Sequence, residues 1–288
     1  MKTGIVDVGG GLRGVYAAGV FDHCLEKGIS FDLCIGVSAG SANVTSYMAG
    51  QKKRNFLFYT EYPFRKEYMS IRNFLFKRSY IDMDYLYGTL SNSTGENPLD
   101  YEALKKNDAE LLVVATNAQT GSVVYFNKDD LKQDDYGILK ASSSIPFVCK
   151  PCEINGIPYY DGALGDPVPV EKAFQCGCDK VVVILSKPRD FIRSPKKDMT
   201  LADRIRKKYP LAAEQLEKRA EHYNQGVQLA KEYEAQGRVL IVAPDHTCGV
   251  DTLTKDKNAL KQFYEKGYRD AQAIPEFLQR RKIRAVRD

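Results

Sequence analysis

Ser38 has the neighbours that best suit a nucleophile. It lies in Gly36-Val37-Ser38-Ala39-Gly40, a G-x-S-x-G run. Such a run turns a strand sharply into a helix and presents the hydroxyl at the helix N-terminus, where partial positive charge favours developing anions. Leu33, Cys34, Ile35 and Val37 lead into the turn and Ser41-Ala42-Asn43-Val44 leads away, the strand-turn-helix setting that the motif requires. A second turn, Gly9-Gly10-Gly11-Leu12-Arg13-Gly14, follows the apolar run Gly4 to Val8. Acyl transfer needs N–H donors aimed at the oxyanion of a tetrahedral intermediate, and glycines bring backbone amides close with no side chain in the way. The amides of Gly10 and Gly11 are the expected donors. The same hexamer also fits G-x-G-x-x-G, so a dinucleotide site at Gly9 to Gly14 is an alternative. It would want an acid at the end of the second strand, whereas Asp32 stands at that strand's start.

The elements that must hold these turns are legible in the apolar periodicity. Gly14 to Lys27 reads as a helix with the stripe Ala17, Val20, Phe21 and Cys24, stopped by Gly28. Phe31 to Val37 is a strand and Ser41 to Ala49 the next helix. Further strands are expected at Leu111–Thr116, Ser122–Phe126, Val181–Leu185 and Val239–Val242. Between the last two, Leu216, Ala220, Tyr223, Val227 and Ala230 form a helical stripe, and Asn258 to Arg281 reads as a closing helix. Short apolar strands alternating with helices predict an α/β fold with a mostly parallel sheet covered on both faces. From 55 to 87 the pattern breaks into Phe and Tyr interleaved with Arg and Lys, a cap-like insertion. Part of it, with Phe74 and Phe76 as candidate substrate-binding residues, suits an acyl-chain groove or interfacial lid; the alternative is a satellite core.

With 288 residues and no obvious linker, one domain spanning 1–288 is expected, carrying the insertion and a helical C-terminal extension from about 258. No apolar run reaches the length of about 18 residues that a membrane helix needs. Met1-Lys2-Thr3 runs directly into a strand interrupted by Asp7, unlike a signal peptide, so a cytoplasmic protein is expected. The seven cysteines are irregularly spaced, which suits reduced thiols. The close pairs Cys149/Cys152 and Cys176/Cys178 have no matching His or Cys cluster, so neither a metal nor a cofactor is expected. A net charge of +5 is mild and nucleic acid is not an expected partner. Positive charge concentrates in 187–219 and in Arg280-Arg281-Lys282-Ile283-Arg284, which favours peripheral contact with an anionic membrane surface.

Taken with Asp161-Gly162-Ala163, the two glycine turns make residues 4 to 186 resemble the patatin-like phospholipases, lipolytic acyl hydrolases with a three-layer α/β/α sandwich. Gly9 to Gly14 matches the family's G-G-G-x-R-G motif, Gly36 to Gly40 its G-x-S-x-G elbow, and Asp161 to Ala163 its D-G-[GA] motif; Ala141-Ser142-Ser143-Ser144-Ile145-Pro146 is similar to its Ala/Ser-rich helix ending in Ile-Pro. The resemblance implies a Ser-Asp dyad, with Ser38 as nucleophile and Asp161 as general base, an oxyanion hole at Gly9, Gly10, Gly11, Leu12, Arg13 and Gly14, and an acyl ester of a lipid as substrate. It assigns Arg13 to bracing the oxyanion loop. Gly165-Asp166-Pro167 departs from relatives that carry asparagine before the proline, which leaves Asp166 as an alternative acid. Of the three histidines, His23 and His222 read as solvated. His246, in Pro244-Asp245-His246, completes the chain order Ser38, Asp161, His246 of an α/β-hydrolase triad, the second alternative.

Overall fold

In the computed structural model, which describes residues 1–279, strands and helices alternate as the apolar pattern requires. The first half contains β1 (Thr3–Asp7), α1 (Val15–Glu26), β2 (Leu33–Val37), α2 (Ala39–Met48), α3 (Arg54–Thr60), α4 (Ile71–Lys77), α5 (Tyr101–Lys106), β3 (Glu110–Asn117) and β4 (Val123–Phe126). There follow α6 (Gly137–Ser142), β5 (Cys152–Ile154), β6 (Ile157–Asp161), α7 (Val170–Gln175), β7 (Lys180–Ile184), α8 (Lys196–Arg206), α9 (Pro210–Ala235), β8 (Val239–Val242), α10 (Lys257–Asp270) and α11 (Ile274–Gln279). The closing helix expected to reach Arg281 and the basic run at 280–284 lie in part or wholly outside the described residues.

The eight strands form one sheet in the order β5-β6-β3-β2-β1-β7-β8, with β4 also on β3. From β3 to β8 the pairing is parallel; β4, β6 and β5 add antiparallel pairs at one side. Successive residues of a strand face opposite ways, and the core divides accordingly. Ile5, Cys34, Val182 and Ile184 pack with α1, α2 and α10, whereas Val6, Ile35, Val181 and Val183 pack with α7 and α9. Two helical layers thus enclose a central sheet. The β5–β6 hairpin was not read as strand because β5 has three residues and β6 contains Pro158. Its Asn155-Gly156 turn, with both residues at positive φ, is a hairpin signal that could have revealed it.

His23 requires a correction, because it is 4% exposed rather than solvated, with its ring edge-on to Tyr268. The physical reason is that α10 covers the outer side of α1, so the polar side of that helix is also interior. His222 is half-buried on α9. Within the insertion, Tyr59, Tyr62, Tyr68 and Tyr87 are buried and continuous with the core on the α1 side of the sheet.

Candidate active site

Ser38 follows β2 directly and caps α2 with φ 57°, ψ −131°, a left-handed backbone that a serine adopts only when its surroundings hold it there. The turn is tight enough to need both flanking glycines: a Cβ on Gly36 would overlap the Ser41 Cα, and one on Gly40 would overlap the Asp7 carbonyl. The Ser38 amide donates to Ser142 Oγ at 3.0 Å, and Ser41 Oγ donates to the Ser38 carbonyl at 2.7 Å. These contacts pin the turn from both sides.

Asp161 ends β6, where antiparallel pairing with β3 brings it beside the parallel strands. Its Oδ2 accepts a 2.6 Å hydrogen bond from Ser38 Oγ, and its Oδ1 accepts one from the Ala163 amide at 2.8 Å. Both side chains are buried, Ser38 at 6% and Asp161 at 2% exposure. Burial pushes the Asp161 carboxyl above its usual range; the bonds from Ser38 and Ala163 and the nearby Arg219 and Arg193 guanidiniums act against that rise. The close approach explains the glycine of Asp-Gly-Ala, since a Cβ on Gly162 would collide with the Val114 carbonyl.

The loop Gly9 to Gly11 lies against the elbow, with a Gly9 Cβ position only 2.9 Å from the Gly40 amide nitrogen. The Gly9 amide donates to Asp7 Oδ1 at 2.9 Å and the Leu12 amide to the Thr252 carbonyl at 3.0 Å. No hydrogen bond to another described residue engages the amides of Gly10 or Gly11. Arg13 is buried and ties this loop to the segment after β8: its guanidinium pairs with Asp251 and donates to Thr252 Oγ1 at 2.9 Å. Gly14 passes so close to Tyr59 that a Cβ there would overlap the hydroxyl.

Asp7, Asn43 and Tyr59 are parts of the site that the residue patterns did not single out. Asn43 Nδ2 donates to Asp7 Oδ2 at 2.8 Å and to the Gly14 carbonyl at 3.0 Å, while the Tyr59 hydroxyl donates to Asn43 Oδ1 at 3.1 Å. This chain joins the glycine loop, the elbow helix and the insertion under the serine. Its available signal was an acid inside an apolar strand. Burial raises the Asp7 carboxyl to about 6, against the bonds from Asn43 and Gly9. Because the folded state holds the proton more tightly, its stabilising contribution is complete below about pH 3.8 and is lost as the pH rises through about 6. The shift corresponds to on the order of 3 kcal/mol. The stability difference between the wild type and Asp7→Asn, followed by urea unfolding, should change by that order between about pH 3 and 7; a flat difference would refute this account.

Above Ser38 lies a cavity enclosing about 700 Å³ of unfilled space, part of it open to solvent. Gly11, Ser38 and Ala39 form one wall, and Tyr68, Met69, Ile81 and Leu86 of the insertion line much of the rest. Phe74 and Phe76 do not line this cavity. Their expected place in an acyl groove is corrected on this point: α4 turns Asn73 inward, bonding to the Glu67 and Tyr68 carbonyls, and leaves Phe76 81% exposed.

The alternative constellations come apart in space. His246 is exposed, and its ring contacts Asp245 and Cys248, with no hydrogen bond to Ser38 or Asp161. Asp166 accepts from the Tyr125 hydroxyl and shares a separate groove with His222. Asp32 accepts from the Thr3 amide and hydroxyl at the opposite end of the strands from the glycine turn, so it is not placed to meet a ribose there. Among the described residues there is no cluster of three or more His, Cys, Asp or Glu that could hold a metal ion.

A second, C-terminal match accompanies the one that bears on this site: residues 209–280 match the model of a domain of unknown function (DUF6363). An Escherichia coli K12 relative, "Uncharacterized protein YjjU", is 27% identical over 200 residues, 68% of this chain and 55% of the relative, so the chain spans about half the length of the curated relative it matches. The crystal structure of VipD from Legionella pneumophila superposes with a TM-score of 0.48 at 13% identity, over 96% of this chain and 67% of that one. The model for patatin-like phospholipases matches residues 8–174, a span that contains the glycine loop, the elbow, Asp161 and more than half of the sequence. By that match the chain belongs to the patatin-like phospholipase family.

Proposed function

We propose that this protein is a cofactor-free serine hydrolase of lipid acyl esters, with Ser38 as nucleophile and Asp161 as its general base. The 2.6 Å bond from Ser38 Oγ to Asp161 Oδ2 at the floor of the cavity carries the reading. Asp161 takes the hydroxyl proton as Ser38 Oγ attacks the ester carbonyl, and the carbonyl π electrons move onto oxygen. The amides of Gly10 and Gly11, pointed by a loop that Arg13 braces, donate to that oxyanion. Collapse breaks the ester C–O bond, and the proton on Asp161 passes to the departing alcohol. Water then gives a proton to Asp161 and attacks the acyl-enzyme; collapse releases the carboxylic acid and returns the proton to Ser38. The apolar walls of the cavity suit an acyl chain.

A fluorophosphonate probe tests the nucleophile directly, because only an activated serine reacts. Labelling of the wild type and its loss in Ser38→Ala is the expected pair of results; equal labelling of both would remove Ser38 from the chemistry. The oxyanion assignment has its own test. Gly10 has φ 128°, and a Cβ there would overlap Ser186 Oγ. Gly10→Ala should therefore swing the loop amides and lower kcat by about 10²–10³-fold, the usual consequence of losing one oxyanion donor. An unchanged kcat would place the donors elsewhere.

A further inference from the structure

The α4 segment that the cavity leaves unused carries an exposed apolar surface. Ile71 is 72% and Leu75 71% exposed, and with 81% exposed Phe76 they form most of the outer side of a two-turn helix. Phe147, itself half-exposed, continues the surface through its ring contact with Phe74 at 5.8 Å. Individual exposed apolar residues need no explanation, but a contiguous group on one short helix does.

Its surroundings are basic. Lys66, Arg72, Arg78 and Lys150 are exposed in the chain segments flanking these residues, and the Arg204 guanidinium lies over the Phe147 ring at 4.1 Å. From 64 to 78 the sequence has five Lys or Arg against one acid, Glu67. Aliphatic and aromatic tips inside a cationic rim match the boundary between acyl chains and anionic headgroups.

The root of α4 is also the wall of the cavity. Met69 and Ile81, bridged to each other on either side of the helix, both line it, as does Ile145 two residues before Phe147. From this juxtaposition we infer that α4 and Phe147 dock on an anionic phospholipid surface, presenting the cavity mouth to the layer that holds the substrate. The inference rests on the lipid-hydrolase reading for its purpose, but binding is measurable without turnover.

The test is cosedimentation of the full chain, as Ser38→Ala to prevent lipid consumption, with phosphatidylglycerol/phosphatidylcholine vesicles and with phosphatidylcholine vesicles. Partitioning should be about tenfold stronger onto the anionic vesicles and should weaken with salt. Adding Ile71→Glu and Leu75→Glu should weaken it about tenfold or more. Arg72→Glu with Arg78→Glu should abolish the preference for anionic lipid. In the otherwise wild-type chain, Ile71→Glu with Leu75→Glu should leave hydrolysis of a water-soluble short-chain ester within about twofold. Vesicle binding indifferent to both pairs of changes, or no binding at all, overturns the inference. So does a wild-type dimer by light scattering that Ile71→Glu with Leu75→Glu dissolves, since the surface would then join two copies. Loss of ester turnover from the wild type would refute the hydrolase reading while leaving this binding result intact.

Discussion

Ser38→Ala is expected to lower ester turnover by about 10⁴-fold or more while leaving the fold intact, because in the proposed mechanism it deletes the atom that would attack the ester. Asp161→Asn should cost nearly as much, and the double variant little more than either single one, since the two groups would act on one proton transfer. His246→Ala should leave turnover unchanged; a large loss there would transfer the base to that histidine. The acid side of the pH profile supplies a further check. A base works only when ionised, so kcat should rise with pH through the Asp161 carboxyl, which burial moves above its usual value near 3.8. The same burial favours the protonated carboxyl in the folded state, so its stabilising contribution fades over the interval in which activity appears. Opposite trends of activity and stability on acidification would be the signature of this carboxylate.

The largest expected loss of stability comes from outside the site. Helices α1 and α10 pack nearly backbone to backbone: a Cβ on Gly267 would overlap the Tyr16 carbonyl, and one on Gly19 the Tyr264 carbonyl. A backbone oxygen cannot rotate away, so Gly267→Leu must push the helices apart and open the core around Tyr16, Phe21, Phe263 and Tyr264. A loss of about 3 kcal/mol or more follows, read as a fall in Tm of roughly 5 °C or more for a chain of 288 residues. Gly88→Ala is the control, because nothing lies within 4 Å of its Cβ position. We propose that the chain unfolds as one unit, with α10 part of a helical layer rather than an extension. If Gly267→Leu left the main transition in place and only released a separate small one, that proposal would fail.

How far the site could be read in advance depended on the range of the interactions. Gly36 to Gly40 and Gly9 to Gly14 are local devices: each strains a few successive dihedrals, so its requirement is written in adjacent letters. Asp161-Gly162-Ala163 is also local, yet nothing adjacent says that it meets Ser38, 123 positions away. Asn43 and Tyr59 were invisible for the same reason, since their roles exist only where α2, α3 and the glycine loop converge. His23 was misread because a helix with partners on both sides buries its polar face, and amphipathicity assumes one wet side.

By itself the sequence determined the family, the alternation of strand and helix, the covered parallel sheet, and which serine sits in a strained turn. All of these follow from short-range sterics and from apolar periods of two or 3.6 residues. Only the tertiary structure decided that Asp161 rather than Asp166 or His246 hydrogen-bonds to that serine, that the insertion roofs the cavity through Tyr68, Met69 and Ile81 while Phe74 and Phe76 stay outside it, and that α10 covers α1. Those outcomes depend on which surfaces meet after folding, and a residue's type limits what it can touch without choosing its neighbour.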